Sequence, residues 1–355
     1  MIRVEALTAS HGASFDAFVE AHPLGSVFHT RDWIENACAS VGAEPRTLVA
    51  WDVERGAIVG ALPLALLWSA MRGRRLLSIP FCRYLPPLGD SPATVAALTE
   101  RAAQVARDER CAFLELRSGP LPELPLNAEA RTFFDNWSID LSGGEEACWS
   151  RLHARGTRRA IRFARGHGVE VRRTSGREGF AILARLDGAT RRRQGVPRHP
   201  PAFIRGLDQR FEASGRTLLL IAFANGEPIA AELALRHGRT WHGILGVDAG
   251  REARSRRAST LLVWEAIRHA IADGASRFDL GPAHRANLGL ADFKRHFGAT
   301  ATPAGVVTLT LDATARAPDD EHLDRPAIRL ARRTLAALPD SMHRMVSQLL
   351  AREVA

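Results

Sequence analysis

The segment ADFKRHFGAT, residues 291–300, holds the one lysine of a 355-residue chain that otherwise uses arginine: Lys294 stands alone among 48 lysine and arginine residues. A general preference for arginine explains the replacement but not the exception. A compact ammonium with three rotatable donors fits a cramped pocket around a single oxygen, where a wide planar guanidinium does not. The other reading is a surface lysine at the end of a helix. Asp279, in RFDLGP, lies between Phe278 and Leu280 in a strand-like run, where an acid is unexpected unless the strand end opens on a cleft. It either orients Lys294 or caps the loop GPAHRANLG, because Asp serves readily in turns. His284 and Arg285 follow in that loop, within reach of substrate phosphates or carboxylates or simply solvated.

Other candidates are cationic or aromatic. In TRRRQGVP, Arg192 and Arg193 precede a glycine turn, and guanidinium forks suit a phosphate or carboxylate. Arg155, Arg158, Arg159 and Arg162 recur at i, i+3, i+4 and i+7, on one helical face, which reads as a phosphate-binding stripe or a solvated charged face. PFCRY carries Phe81 and the chain's single tyrosine, Tyr84, which either line a cleft or pack.

The elements that must position these residues occur twice. LVAWDVERGAIVGALPLALL (48–67) and LLLIAFANGEPIAAELALRH (218–237) are apolar runs on either side of Gly56 or Gly226, the pattern of a strand hairpin. Each is followed by a helical run and a short strand ending in Gly-Pro, at 93–120 and 258–282. So long a period marks a duplicated domain rather than a solenoid. The expected fold class is α+β, with an N-terminal domain over 1–141, a second over 142–310 that opens on a basic helical segment at 149–168, and a helical tail over 311–355. That tail, two amphipathic basic pieces broken at Pro339, either packs on the second domain or docks on a membrane surface.

Composition sets limits. With 46% hydrophobic and 25% charged residues the chain is globular rather than disordered. A net charge of +9 favours polyanionic partners such as RNA, a phosphorylated carrier lipid or an anionic membrane face. The longest apolar run, AIVGALPLALLWSA, is too short to span a bilayer, and MIRVEALTAS does not resemble an export signal, so a cytoplasmic location, with peripheral contact at the inner membrane face left open, is expected. Cys38, Cys82, Cys111 and Cys148 lack paired spacing and read as buried thiols; no metal site is expected.

Four motifs in order, SIPFCRYLPPLGD, ARGTRRAIRFARGHGVEV, ATRRRQGVP and FDLGPAHRANLGLADFKRHFG, resemble FemAB-type proteins, more narrowly the FemAB-like proteins of bacterial exopolysaccharide and exosortase systems. The resemblance covers most of the chain. It implies two tandem GNAT-like (N-acyltransferase) domains and transfer of an acyl group, in known members an aminoacyl group from aminoacyl-tRNA, to an amine of a cell-envelope, peptidoglycan or exopolysaccharide precursor. By the same resemblance Lys294, flanked by Phe293 and Phe297 and followed by Gly298, stabilises the oxygen that turns anionic in the tetrahedral intermediate, and Arg192 or Arg193 faces the acceptor; Asp279, from its place in the strand, either orients Lys294 or accepts the amine proton.

Donor choice turns on one segment. GNAT domains cradle the coenzyme A pyrophosphate on a glycine-bearing turn before a helix. Here RSRRAS places Arg254 and Arg257 in that turn, Arg257 standing where the first glycine belongs, and a side chain there crowds the approach of phosphate. The matching DSPATVAA of the first copy has no glycine either. Aminoacyl-tRNA is therefore the favoured donor and acyl-CoA or an acyl carrier protein the alternative, with no tightly bound cofactor. A binder of an anionic glycan or lipid carrier, without catalysis, is the third reading.

Overall fold

The computed structural model describes residues 1–82, 84–119, 128–312 and 326–353. They fall into two compact units: one holds residues up to Asp135, the stretch from Thr302 and the end of the chain from Arg352; the other holds Asn136–Ala301 and the C-terminal helices up to Ala351.

The first unit runs β1 (Ile2–Ala6), α1 (Gly12–Ala21), α2 (Arg31–Val41), β2 (Glu44–Pro45), β3 (Leu48–Asp52), β4 (Ala57–Leu62), β5 (Leu64–Ser69), β6 (Gly73–Ser78), β7 (Leu88–Gly89), α3 (Pro92–Asp108), β8 (Phe113–Ser118) and the start of β9 (Ala128–Asp140). The hairpin read at 48–67 is present, with Gly56 in the left-handed conformation between antiparallel β3 and β4. Its second apolar run is two strands, not one. Pro63 has no N–H for the ladder, and the chain leaves the sheet β1-β3-β4-β7 there to enter one ordered β8-β6-β5-β2. Helix α3 seals a core in which Leu98, Ala102 and Ala106 meet Leu48, Val59 and Leu62. Pro120, the expected strand terminus, and the first part of the tail, 313–325, lie outside the described residues.

The second unit repeats the plan with longer elements. After α4 (Gly144–Arg151) come a π-helical turn, Ala154–Arg158, α5 (Arg159–Gly166), β10 (Glu170–Thr174), α6 (Gly176–Gln194), α7 (Pro201–Phe211), β11 (Thr217–Ala224), β12 (Glu227–His237), β13 (Thr240–Asp248), α8 (Arg251–Ser255), α9 (Ala258–Ala272), β14 (Arg277–His284) and α10 (Leu288–Arg295). Strands β10 to β13 are antiparallel in sequence order. β14 joins β13 in parallel, over Thr240–His242 and Arg277–Asp279. The apolar face of α9, with Leu262, Trp264 and Ile267, packs with Leu220, Ala222, Ala230, Ala234, Trp241 and Phe278.

Two expectations change. The basic segment is not one helix, because the π turn at Ala154–Arg158 resets the register, so its arginines do not share one face. Arg192 and Arg193 precede a glycine turn as read, in the last helical turn of α6, closed by left-handed Gly195. The second domain, expected to run to 310, ends earlier: β15 (Thr300–Thr310) pairs with β8 through Gly305–Thr310 and belongs largely to the first unit. The tail forms α11 (Pro326–Ala337) and α12 (Asp340–Leu350), broken at Pro339 as read, and both helices meet α6.

Gly298 closes α10 at φ +77°, and a Cβ there would sit 2.9 Å from Arg151 Cβ. Gly298→Ala is expected to cost about 1–3 kcal/mol, through left-handed strain and the clash, and urea denaturation will register it as a lower midpoint.

Candidate active site

The parallel pairing of β13 with β14 stops at His242 and Asp279, and the strands part. A bulge at the same place, between Leu233 and Ala234 of β12, passes over Ile244. Into this opening falls a cavity of about 240 Å³ lined by Ala231 and Glu232 of β12, Gly243, Ile244, Gly246 and Val247 of β13, and Phe293 and Lys294 of α10, among others.

Lys294 is 6% exposed. Its Nζ donates to the carbonyls of Gly281 (2.7 Å) and Pro282 (3.0 Å). An ammonium has three donors, so one remains for a substrate oxygen. Gly281, at φ +72°, supplies the bend that presents its carbonyl. Burial lowers the lysine to about 8, against the pull of Asp279 and Glu232.

Asp279 does not touch Lys294 through a hydrogen bond. Its carboxylate accepts from Asn136 Nδ2 (3.2 Å), His242 Nδ1 (3.2 Å) and the Gly281 N–H (2.8 Å). Burial pushes this carboxyl up, but the bonds from His242, Gly281 and Asn136 outweigh it and hold it below its ordinary range. So placed, it pins the Gly281 turn whose carbonyl holds Lys294.

Glu232 was missed in the sequence, although the signal was the one that exposed Asp279: an acid inside an apolar strand, PIAAELAL. Its carboxylate lies over β13, where a Cβ on Gly246 would be 2.8 Å from Oε2 and one on Gly243 3.3 Å from Oε1. The two glycines are the room it occupies. Desolvation raises it to about 8 and Lys294 opposes the rise; access through the cavity keeps it within reach of solvent and substrate.

A second cavity, about 520 Å³, shares Phe293 with the first and is lined by Arg155, Gly156, Thr157, Arg159, Phe163, Ser255, Arg257, Thr260 and His296. Arg257 is the N-cap of α9 at φ +58°, ψ 28°. The arginine keeps the left-handed backbone a glycine would have, and no side chain caps the helix start. The π turn is tied to α10. Thr157 Oγ1 donates to the His296 carbonyl (3.1 Å), His153 N–H donates to the same carbonyl (2.9 Å), and the His153 and His296 rings stack at 4.4 Å.

The remaining candidates go elsewhere. Arg158 is half-buried, and Arg162 lies over the Trp149 ring, 5.7 Å from its centroid. Arg193 is held by Asp248, through the carboxylate (2.7 Å) and the carbonyl (3.1 Å), so it is structural. Arg192 and exposed Arg285 line neither cavity, and Arg254 bonds the Gly250 carbonyl. Phe297 is a core residue, 1% exposed, packed edge-on against Phe293. Phe81 and Tyr84 belong to the first unit, where Tyr84 packs against Phe133, Phe134 and Ala304. The four cysteines are buried thiols. Among the described residues, no group of three or more His, Cys, Asp and Glu is placed to hold a metal ion.

Residues 151–295, which supply nearly all of the lining of both cavities, match the model of an acetyltransferase (GNAT) domain. This part of the chain is thus an acyltransferase domain of GNAT fold. The likeness of fold extends over most of the chain, which is similar to the crystal structure of FemX, with TM-score 0.68 at 14% identity, over 87% of this chain and 98% of that one. It is also similar to a tandem GNAT protein from the clavulanic acid biosynthesis pathway (TM-score 0.53, 15% identity, 90% and 100% covered). A third likeness is to the C-terminal domain of a putative lysylphosphatidylglycerol synthetase from Agrobacterium fabrum (0.53, 13%, 84% and 92%). None of the curated proteins matches the chain in sequence.

The two shifted groups give opposite pH dependences. Folded Glu232 retains a proton that the unfolded chain releases between 4.5 and about 8, so stability falls as pH rises through that window. Lys294 binds fewer protons folded than unfolded between about 8 and 10.5, so stability recovers there. Denaturation followed across both windows should show the dip, and Glu232→Gln should remove its lower limb while leaving the upper one.

Proposed function

We propose that this chain transfers an aminoacyl group from aminoacyl-tRNA to an amine of a cell-envelope or exopolysaccharide precursor. What carries the reading is Lys294: a buried ammonium with one donor uncommitted, in the same cavity as a carboxylate of raised proton affinity.

In the reaction the acceptor nitrogen attacks the acyl carbonyl carbon, and the carbonyl oxygen becomes anionic. The third N–H of Lys294 stabilises that oxygen more than it stabilises the neutral carbonyl, which lowers the barrier. Glu232 takes the proton the amine must lose, a task suited to a group whose affinity lies near neutral pH. Attack forms the C–N bond; collapse then restores the C=O bond and breaks the C–O bond to the donor ribose, whose oxygen leaves with the proton returned by Glu232. Phe293, between the two cavities, excludes water from the reacting carbonyl.

The donor's phosphates are assigned to the neighbouring cavity, where Arg155, Arg159 and Arg257 meet the uncapped start of α9. The net charge of +9 and a structural neighbour named as a putative lysylphosphatidylglycerol synthetase support the aminoacyl donor. The left-handed Arg257 supports the second reading, an acyl-CoA donor, because it preserves the backbone approach a pyrophosphate needs.

Lys294→Met should lower kcat by about 10²–10³-fold with little change in donor affinity. Equal loss of rate and affinity would favour a binding protein over an enzyme. Arg155→Ala with Arg159→Ala should raise the donor KM and leave kcat nearly intact, seen in steady-state assays with labelled donor. Purified protein is then offered charged tRNA and acyl-CoA at moderate salt. Saturable acyl-CoA binding without tRNA binding would reverse the choice of donor.

A further inference from the structure

Helix α12 is amphipathic in the wrong sense for a helix that merely packs on its own domain. The side it turns inward is polar. His343 and Ser347 are 0% and 4% exposed, and they are held by Arg198: its Nε donates to His343 Nδ1 (3.0 Å), its backbone N–H donates to Ser347 Oγ (3.1 Å), and its guanidinium pairs with Asp340. His343 Nε2 completes the anchor on the Val196 carbonyl (3.1 Å). The side turned to solvent carries an apolar stripe beside exposed Ser341, Arg344 and Gln348. Met342, Met345 and Leu349, at i, i+3 and i+7 and so on one face, are 46%, 56% and 74% exposed. An exposed apolar stripe held rigidly outward by a buried polar network is a surface awaiting a partner.

Its neighbour α11 shows what the partner is. Arg329, Arg332 and Arg333 are all exposed there beside Leu330, itself 66% exposed, and Asp340 is the one acid among residues 326–351. Among the described residues, only Arg332 of these three has a bond within the fold, to the Gln194 carbonyl. Apolar side chains with surrounding arginines match an anionic lipid surface, where the former enter the acyl boundary and the latter meet headgroups. A second copy of the chain would present the same positive charge and repel, and four apolar side chains fall far short of the roughly 800 Å² per partner that a stable protein interface buries. No helix among the described residues is long and apolar enough to cross a membrane, so the contact is one of lying on the bilayer.

We propose that the outward face of α12, with the arginines of α11, docks this protein on an anionic bilayer. The proposal goes beyond the acyl-transfer reading and does not depend on the donor. Flotation of the full chain with phosphatidylcholine vesicles, and with the same vesicles containing phosphatidylglycerol, tests it. Binding is expected only to the latter. The triple variant Met342→Ser/Met345→Ser/Leu349→Ser should weaken it by more than about tenfold with an unchanged melting temperature. Arg329→Gln with Arg333→Gln should weaken it by roughly fivefold per arginine and reduce its salt dependence. If the triple variant is unstable, Leu349→Glu, at the most exposed position, takes its place. Equal binding by wild type and variants, or no binding to phosphatidylglycerol vesicles, overturns the proposal. So does a wild-type dimer that the triple variant dissociates, since the covering partner is then a second copy.

Discussion

Taking an ammonium out of water while keeping it near a carboxylate is the constraint on which the second unit is built. Isolated burial of either group is prohibitive, and the protein answers with fixed dipoles rather than with a direct ion pair. Lys294 is met by two carbonyls, Gly281 and Pro282, and the bend that presents them is pinned by Asp279, which is in turn satisfied by His242, Asn136 and the Gly281 N–H. Glu232 receives space instead of partners, through Gly243 and Gly246. A direct Lys–Glu pair would neutralise both groups and leave neither for a substrate. Separation within one cavity keeps a donor and an acceptor facing the same small volume.

The two units share a plan but not a chemistry, and helix starts show why. α3 is closed by its own side chains: Ser91 accepts from the Thr94 N–H (3.2 Å), and Asp90, which accepts from Thr94 Oγ1 (2.8 Å), already supplies negative charge there. An anion has nothing to gain at such a terminus. α9 has no side-chain cap, begins at a left-handed arginine, and faces a cavity lined by further arginines. Duplicated elements thus diverge through a few capping residues, which decide whether a helix dipole is spent inside the protein or offered to a ligand.

Arginine illustrates how little residue type alone says about role. Arg193 closes the end of α6 onto Asp248, Arg198 anchors the inward side of α12, Arg162 covers Trp149, and Arg155, Arg159 and Arg257 line a cavity. All six are the same cation within helical or turn sequences rich in others. What separates them is whether a carboxylate, a carbonyl or an aromatic face lies within reach once the chain has folded, and no local pattern reports that.

The sequence by itself determined the duplicated α+β plan, the hairpins at Gly56 and Gly226, the helix and strand that follow each, and the singular lysine with its aromatic neighbour Phe293. These rest on short-range physics: apolar periodicity, glycine turns, and the unusual appearance of one residue type. Tertiary structure decided the rest. The end of pairing at His242 and Asp279 opened the cavity, and a π turn inside an apparently continuous basic helix split the arginine stripe. The backbone held Arg257 in a conformation usually left to glycine, and α12 turned its apolar side outward. Each outcome depends on which distant groups satisfy a buried polar atom, as Asp279 does for the Gly281 bend and Arg198 for His343. Such pairings are fixed only when residues far apart in the chain compete for the same few partners in three dimensions.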